Sequence, residues 1–291
     1  MKRLFQLALL VLVSAQAGAQ YNSLLWKISG NGLKEPSYLF GTMHTADARI
    51  VYLGDKIAGK HFAACPTFAM ELDPGDKELN VGMLSKLMMG NGYSLAKMIP
   101  DKEYRFLDSM ASKTLGYPMY LFDNVAPIVV MTILESMSMG LSDSSVEGNT
   151  QVLDVYFYNK AKESKKKIIG IETVEEQLNA LRTLKYEDQA ELLTQEIDSF
   201  SSNKDGGKEV LQYYLNQNLD SLAAMDDDAK KPEKFYKALV TDRNERMANR
   251  IGAFIKKQPA FVAIGALHLP GDKGVIALLR EKGYKVEAVK D

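Results

Sequence analysis

The chain has 291 residues, 46% hydrophobic and 25% charged, with a formal net charge of −1. This is ordinary globular composition, enough for one large domain or two small ones. Lysines and arginines alternate with acids, so there is no basic face for a nucleic acid, and a run such as Lys165–Lys167 reads as a solvated helix end.

The first residues form a unit of their own. Lys2 and Arg3 precede an apolar run from Leu4 to Val13, which leads to the small-x-small site Ala17-Gly18-Ala19. This pattern reads as a secretory signal peptide over residues 1–19, too short to span a bilayer and followed by no stop-transfer pattern. Cleavage after Ala19 would leave Gln20 first, with no cysteine there to take a lipid. The expectation is an exported, periplasmic or secreted protein with no membrane anchor after cleavage. Cys65, the only cysteine, excludes an internal disulfide and reads as a buried thiol.

Five later segments have strand character: "SYLFGTM" (37–43), "PTFAMEL" (66–72), "KKIIGIE" (166–172), "AFVAIGAL" (260–267) and "YKVEAV" (284–289). The near-continuous apolar run of the fourth suggests a strand covered on both faces. The first and fourth each end on Gly-x-x-His, and each is followed by a helical stretch and another strand. The expectation is an α/β (α+β) fold with a central sheet built from two β-loop-α-β units. A large helical insertion, about 77–164, lies between them, and residues 20–291 form one domain.

Helical signals fill the middle of the chain. Pro127 and Gly140 bracket "PIVVMTILESMSMG". Val152, Val155, Tyr156 and Asn159 recur at helical spacing, and Thr173 with Glu176 forms a capping-box pair. Residues 206–225 and 232–257 are amphipathic. The methionines of 83–98 and 131–139 read as core filling, with a soft binding surface as the alternative.

The chemistry concentrates where strands end. His44 and His268 complete the two Gly-x-x-His motifs, although the chain has only three histidines. Glu71 ends the second strand, with Asp73 two residues on, and Glu172 closes the third. Ligands bind beyond the carboxyl ends of strands in open α/β sheets. If these strands are parallel neighbours, two imidazoles and two carboxylates converge, a set suited to a divalent transition metal. The competing readings are histidines that only bond loops, a Glu71 that faces solvent, and a Glu172 that serves the following helix N-terminus. His61 reads as structural or surface. Gly41 and Gly265, lacking Cβ, allow close backbone approach. Val240, Arg243, Met247 and Ile251 share one otherwise apolar helix face. An inward arginine needs an anion: Arg243 orients a site carboxylate, stabilises an oxyanion, or makes a structural salt bridge to an acid such as Asp154. Asn244 could add a hydrogen bond. No Gly-x-Ser-x-Gly, Walker A, Gly-x-Gly-x-x-Gly or His-Glu-x-x-His pattern occurs.

In this order, "LLWKISG…PSYLFGTMH", "AMELD", "KKIIGIETVEEQLNAL", "DRNERMANRI" and "FVAIGALHLPGDKGVIALLREKGYKV" resemble the TraB/GumN family, which includes the Tiki and pheromone-shutdown proteins. The resemblance implies a metal-dependent hydrolase, in Tiki-like members a metalloprotease that uses manganese or cobalt on an extracellular peptide. It makes His44, His268 and Glu71 the leading metal-site residues, with Glu71 also a catalytic candidate. Glu172, Arg243 and Asn244 are supporting catalytic candidates, and Asp154 is a weaker one. The implied cofactor is a divalent transition metal, manganese or cobalt ahead of zinc, and the implied partner is a peptide or protein substrate. The alternative is a non-catalytic haem- or peptide-binding protein of the same fold.

Overall fold

The apolar runs form six strands: β1 (Leu25–Gly30), β2 (Ser37–Thr42), β3 (Thr67–Met70), β4 (Lys167–Gly170), β5 (Ala260–Gly265) and β6 (Tyr284–Ala288). The computed structural model describes residues 21–45, 47–76, 86–90, 92–140, 152–202, 206–225 and 232–290. The signal segment 1–19 lies outside the described residues, as do 77–85 and 141–151 of the helical insertion.

The strands make one sheet in the order β4-β3-β5-β2-β1-β6. β4, β3, β5 and β2 are mutually parallel neighbours, and β1 runs antiparallel to both β2 and β6. β5 is buried along its length except at Gly265, as expected of a central strand covered on both faces. β1 has no counterpart among the five strands expected. Exposed Lys27 interrupts its apolar residues, and Gly30 ends it at φ 75°, in a span too short for its alternation to stand out.

The helices are α1 (Ala48–Ala64), α2 (Leu95–Met98), α3 (Asp101–Leu115), α4 (Pro127–Gly140), α5 (Leu153–Glu163) and α6 (Val174–Leu181). After them come α7 (Tyr186–Ser202), α8 (Gly206–Leu215), α9 (Leu219–Met225), α10 (Glu233–Tyr236), α11 (Asp242–Ile255) and α12 (Val275–Glu281). A five-residue π turn, Lys237–Thr241, joins α10 to α11. Thr173 caps α6 in the expected capping box with Glu176. Asp47 caps α1, accepting from the Arg49 N–H.

Two apolar cores result. The sheet core holds five phenylalanines, Phe40, Phe62, Phe68, Phe157 and Phe261, each at most 1% exposed, with ring centroids 5.3–6.5 Å apart. Buried Cys65 belongs to it, and burial pushes its thiol pKa up to about 11. The second core is helical. It combines Met89, Leu95, Leu107, Ile128 and Leu134 with Leu184, Leu193, Ile197 and Phe235. The helical layer therefore draws on two chain segments, one on each side of β4, while α5 packs on the sheet core. Met88, Met89, Met98 and Met131 fill the helical core. Met83 and the side chains of Met137 and Met139 lie outside the described residues.

α5 presents a different face from the one its spacing suggested. Leu153, Asp154, Phe157 and Ala161 are buried, and Val155 is exposed. The rotation carries Asp154 inward.

Candidate functional site

The parallel strands deliver their carboxyl ends side by side, so the order of residues across the site is Glu172, Glu71, His268, His44. Backbone pairing runs past the strand ends, for the Glu172 N–H donates to the Glu71 carbonyl at 2.8 Å. Gly41 makes the approach of the two Gly-x-x-His motifs possible. A Cβ there would lie 3.1 Å from Ala266 Cα and 3.3 Å from Leu269 Cδ2, inside the spacing a packed core tolerates without shifting. A buried tyrosine ties the same peptide down, the Tyr214 hydroxyl donating to the Gly41 carbonyl at 2.8 Å.

Glu71 is held at both oxygens. Oε1 accepts from the Gly265 N–H at 2.8 Å. Oε2 accepts from Arg243 Nη2 at 2.8 Å and from Gln177 Nε2 at 3.1 Å. Burial opposes the charge, but His268, Arg243, His44 and the Gly265 N–H together hold the carboxyl pKa at about 2. Glu71 is thus ionised at neutral pH.

Glu172 has a fully buried side chain, and that of Glu71 is only 14% exposed, so the solvent-facing alternative for Glu71 does not hold. Arg243 Nη2 reaches its Oε2 at 2.6 Å, and Arg243 Nε lies 3.0 Å from Oε1. Gln177 Nε2 also donates to Oε2, at 3.1 Å. Arg243 Nη1 donates to the Leu239 carbonyl at 3.3 Å, within the π turn. Arg243 therefore orients site carboxylates. Its ion-pair partners are Glu71 and Glu172, not Asp154. Asp73 turns away, accepting from the Gly75 N–H at 2.8 Å.

Each imidazole turns Nδ1 toward a side-chain oxygen. His268 Nδ1 lies 2.7 Å from Asn244 Oδ1, and Asn244 Nδ2 donates to the Lys273 carbonyl at 2.9 Å. The carbonyl fixes the amide orientation, because a flipped amide would set oxygen against oxygen. Asn244 Oδ1 then requires a proton on His268 Nδ1, which assigns the tautomer and leaves a lone pair on Nε2. Burial lowers the His268 pKa, with Glu71 opposing. His268 Nε2 faces Glu71 Oε1 at 3.9 Å, beyond hydrogen-bond reach. His44 Nδ1 lies 3.3 Å from Asp154 Oδ2, and its ring is 59% exposed on the solvent side of the site. Asp154 is buried, with Oδ1 accepting from the Thr42 hydroxyl at 2.9 Å and Oδ2 without a hydrogen-bond partner among the described residues. Burial raises its pKa, and His44 opposes the rise. The two pairs are one cluster electrostatically, since His44 acts on both Glu71 and His268.

Among the described residues, no three His, Cys, Asp or Glu side chains already surround a single point. The donors stand as two pairs, each with lone pairs opposed or an oxygen unmatched. That chemistry fits a cation: two imidazoles and an ionised Glu71, with a side-chain oxygen facing Nδ1 of each ring. His61 stands apart from the site, with its ring 4.3 Å from that of Tyr38. Sequence reasoning missed Gln177, Thr42 and Tyr214. The capping box at Thr173 fixes the phase of α6, and so the turn on which Gln177 lies, but one of its two partners, Glu71, lies beyond β3, 106 residues away.

The fold and site define a mixed α/β protein whose imidazole–carboxylate cluster lies at the carboxyl ends of parallel strands. The chain belongs to the TraB/PrgY/gumN family, whose model matches residues 24–288. It is similar to the metalloprotease TIKI2 of Danio rerio (26% identical, covering 91% of this chain and 61% of that protein). It is also similar to the metalloprotease TIKI1 of Danio rerio (27%; 91% and 63%) and of Homo sapiens (25%; 92% and 62%). The chain thus spans about three fifths of these curated relatives. No solved structure shows a significant match. Among the described residues, no helix is long and apolar enough to cross a membrane.

Proposed function

We propose that this protein is an exported metal-dependent hydrolase acting on a peptide or protein substrate. In this reading His44 and His268 hold a divalent transition metal through Nε2, with Glu71 Oε1 as a further ligand or as the base beside it. Manganese or cobalt suits this nitrogen and oxygen donor set. The supporting observation is that both Gly-x-x-His imidazoles turn Nδ1 to a side-chain oxygen and leave Nε2 for another partner. The metalloprotease names of the relatives add to it.

A bound divalent metal would supply an acidified water and a polarised carbonyl at neutral pH. The chain's own residues set the rest. Glu71, ionised at neutral pH, serves as ligand or base and not as an acid. Asn244 keeps the His268 proton on Nδ1, and Asp154 sets a carboxylate oxygen 3.3 Å from His44 Nδ1. Arg243, committed to Glu71 and Glu172, holds the two carboxylates in register.

The test is to purify the mature protein, strip it with chelator, restore manganese, cobalt or zinc, and assay a peptide library. Metal-dependent cleavage that His268→Ala removes is the expected result. No turnover with any metal, together with a Soret band on haem addition, would sink the reading in favour of a haem binder.

A further inference from the structure

Among the described residues, Gln177 is the one neutral side chain that bonds both buried glutamates. A single nitrogen, Nε2, donates to Glu71 Oε2 and Glu172 Oε2, each at 3.1 Å. The same two oxygens receive Arg243 Nη2 from another side, at 2.8 and 2.6 Å. Each is therefore bracketed by an amide from α6 and a guanidinium from α11. With Oε2 fixed in this way and Oε1 fixed by the Gly265 N–H at 2.8 Å, the Glu71 carboxylate cannot rotate. The free lone pair of Oε1 is left toward His268 Nε2.

The neutrality of the amide matters as much as its reach. Glu71 and Glu172 carry two negative charges, and buried Arg243 cancels one. Arg246, a third exposed, stands off at 3.8 Å from Glu172 Oε1, where solvent screens most of its effect. A second buried cation at 177 would give both carboxylates their hydrogen bonds and also cancel the charge that attracts a metal. An amide supplies the bonds and leaves the charge.

We infer that Gln177 is a positioning residue. It fixes Glu71 and Glu172 relative to each other while preserving the net negative charge on which cation binding at Glu71 and His268 depends. The inference rests on the metal-dependent reading above. Outer contacts of this kind are worth about 10–100-fold in metal affinity.

The test titrates Mn²⁺ into chelator-stripped protein by calorimetry and follows the melting temperature of the metal-free form. Gln177→Met, close in shape but without donors, is expected to bind Mn²⁺ about 10–100-fold more weakly than wild type. Gln177→Lys restores donors to both carboxylates, so it should melt at or above the wild-type temperature and yet bind Mn²⁺ more weakly than Gln177→Met. A purely structural residue would give the reverse, with Lys recovering affinity along with stability. Unchanged affinity in Gln177→Met, or full recovery in Gln177→Lys, would overturn the inference. If Gln177→Met does not fold, the Lys variant decides alone. Wild-type protein that binds no Mn²⁺, Co²⁺ or Zn²⁺ would instead bring down the hydrolase reading, and this inference with it.

Discussion

At the scale of single residues, Arg243 carries the largest electrostatic burden. It is the main counter-charge of two buried carboxylates, and removing one partner of such a set leaves the others unpaired in a poor solvent for charge. Arg243→Met should destabilise the protein by about 3–5 kcal/mol in urea titration. Glu172→Gln, which removes a charge and keeps the shape, should cost less. If the two variants prove equally stable, the site carboxylates are not held by this ion pair. The histidines make a separate prediction. They are not central to the apolar core, so His44→Ala and His268→Ala should fold with near wild-type melting temperatures while weakening metal binding. Metal bound at full affinity by the double variant would place the centre elsewhere.

At the scale of elements, the start of α6 gives a pH prediction. The Arg250 hydrogen bonds, opposed by partial burial and helped by the Thr173 N–H, hold the Glu176 pKa at about 2 against an ordinary 4.5. A carboxylate with a lowered folded pKa stabilises the fold above its unfolded value, and that stability is lost as pH falls through the folded value. Glu176→Gln should therefore be less stable than wild type at pH 7, by about 1 kcal/mol for a partly exposed pair and cap. The gap should close between pH 4.5 and about 2; a constant gap over that window would refute the assignment. Much at this scale was legible in the sequence: the strand-end positions of His44, Glu71, Glu172 and His268, the capping box, and the inward face of Arg243. These follow from local period and chain order. The phase of α5 was not legible, because Val155 and Tyr156 look as apolar as Leu153 and Phe157, and only the sheet decides which pair is buried. β1 and Gln177 escaped for a related reason. Each has one near partner, β2 or Glu172, and one distant one, β6 or Glu71, and nothing local marks the distant contact.

At the scale of the whole molecule, the two cores separate stability from function. Leu193 lies in the helical core and Phe157 in the sheet core, three residues from Asp154 on α5. Leu193→Ala should cost about 2–5 kcal/mol and leave metal affinity intact. Phe157→Ala should cost about 3–5 kcal/mol and weaken metal binding as well. Chemical denaturation paired with metal titration distinguishes the two, and equal losses of affinity would show that the cores are not separable in this way.

The sheet order also bears on how the protein comes into being. β2 and β3 never pair with each other, because both pair with β5, which begins at Ala260. Until that last stretch of chain has been synthesised, β4 with β3 and β2 with β1 can form only two pairs with no ladder between them. The closing contacts span most of the sequence, which makes them slow to form. A nascent or truncated chain ending before residue 260 thus lacks both His268 and the strand that brings the ends of β2 and β3 together. The imidazole–carboxylate cluster therefore cannot assemble on a chain that stops short of β5.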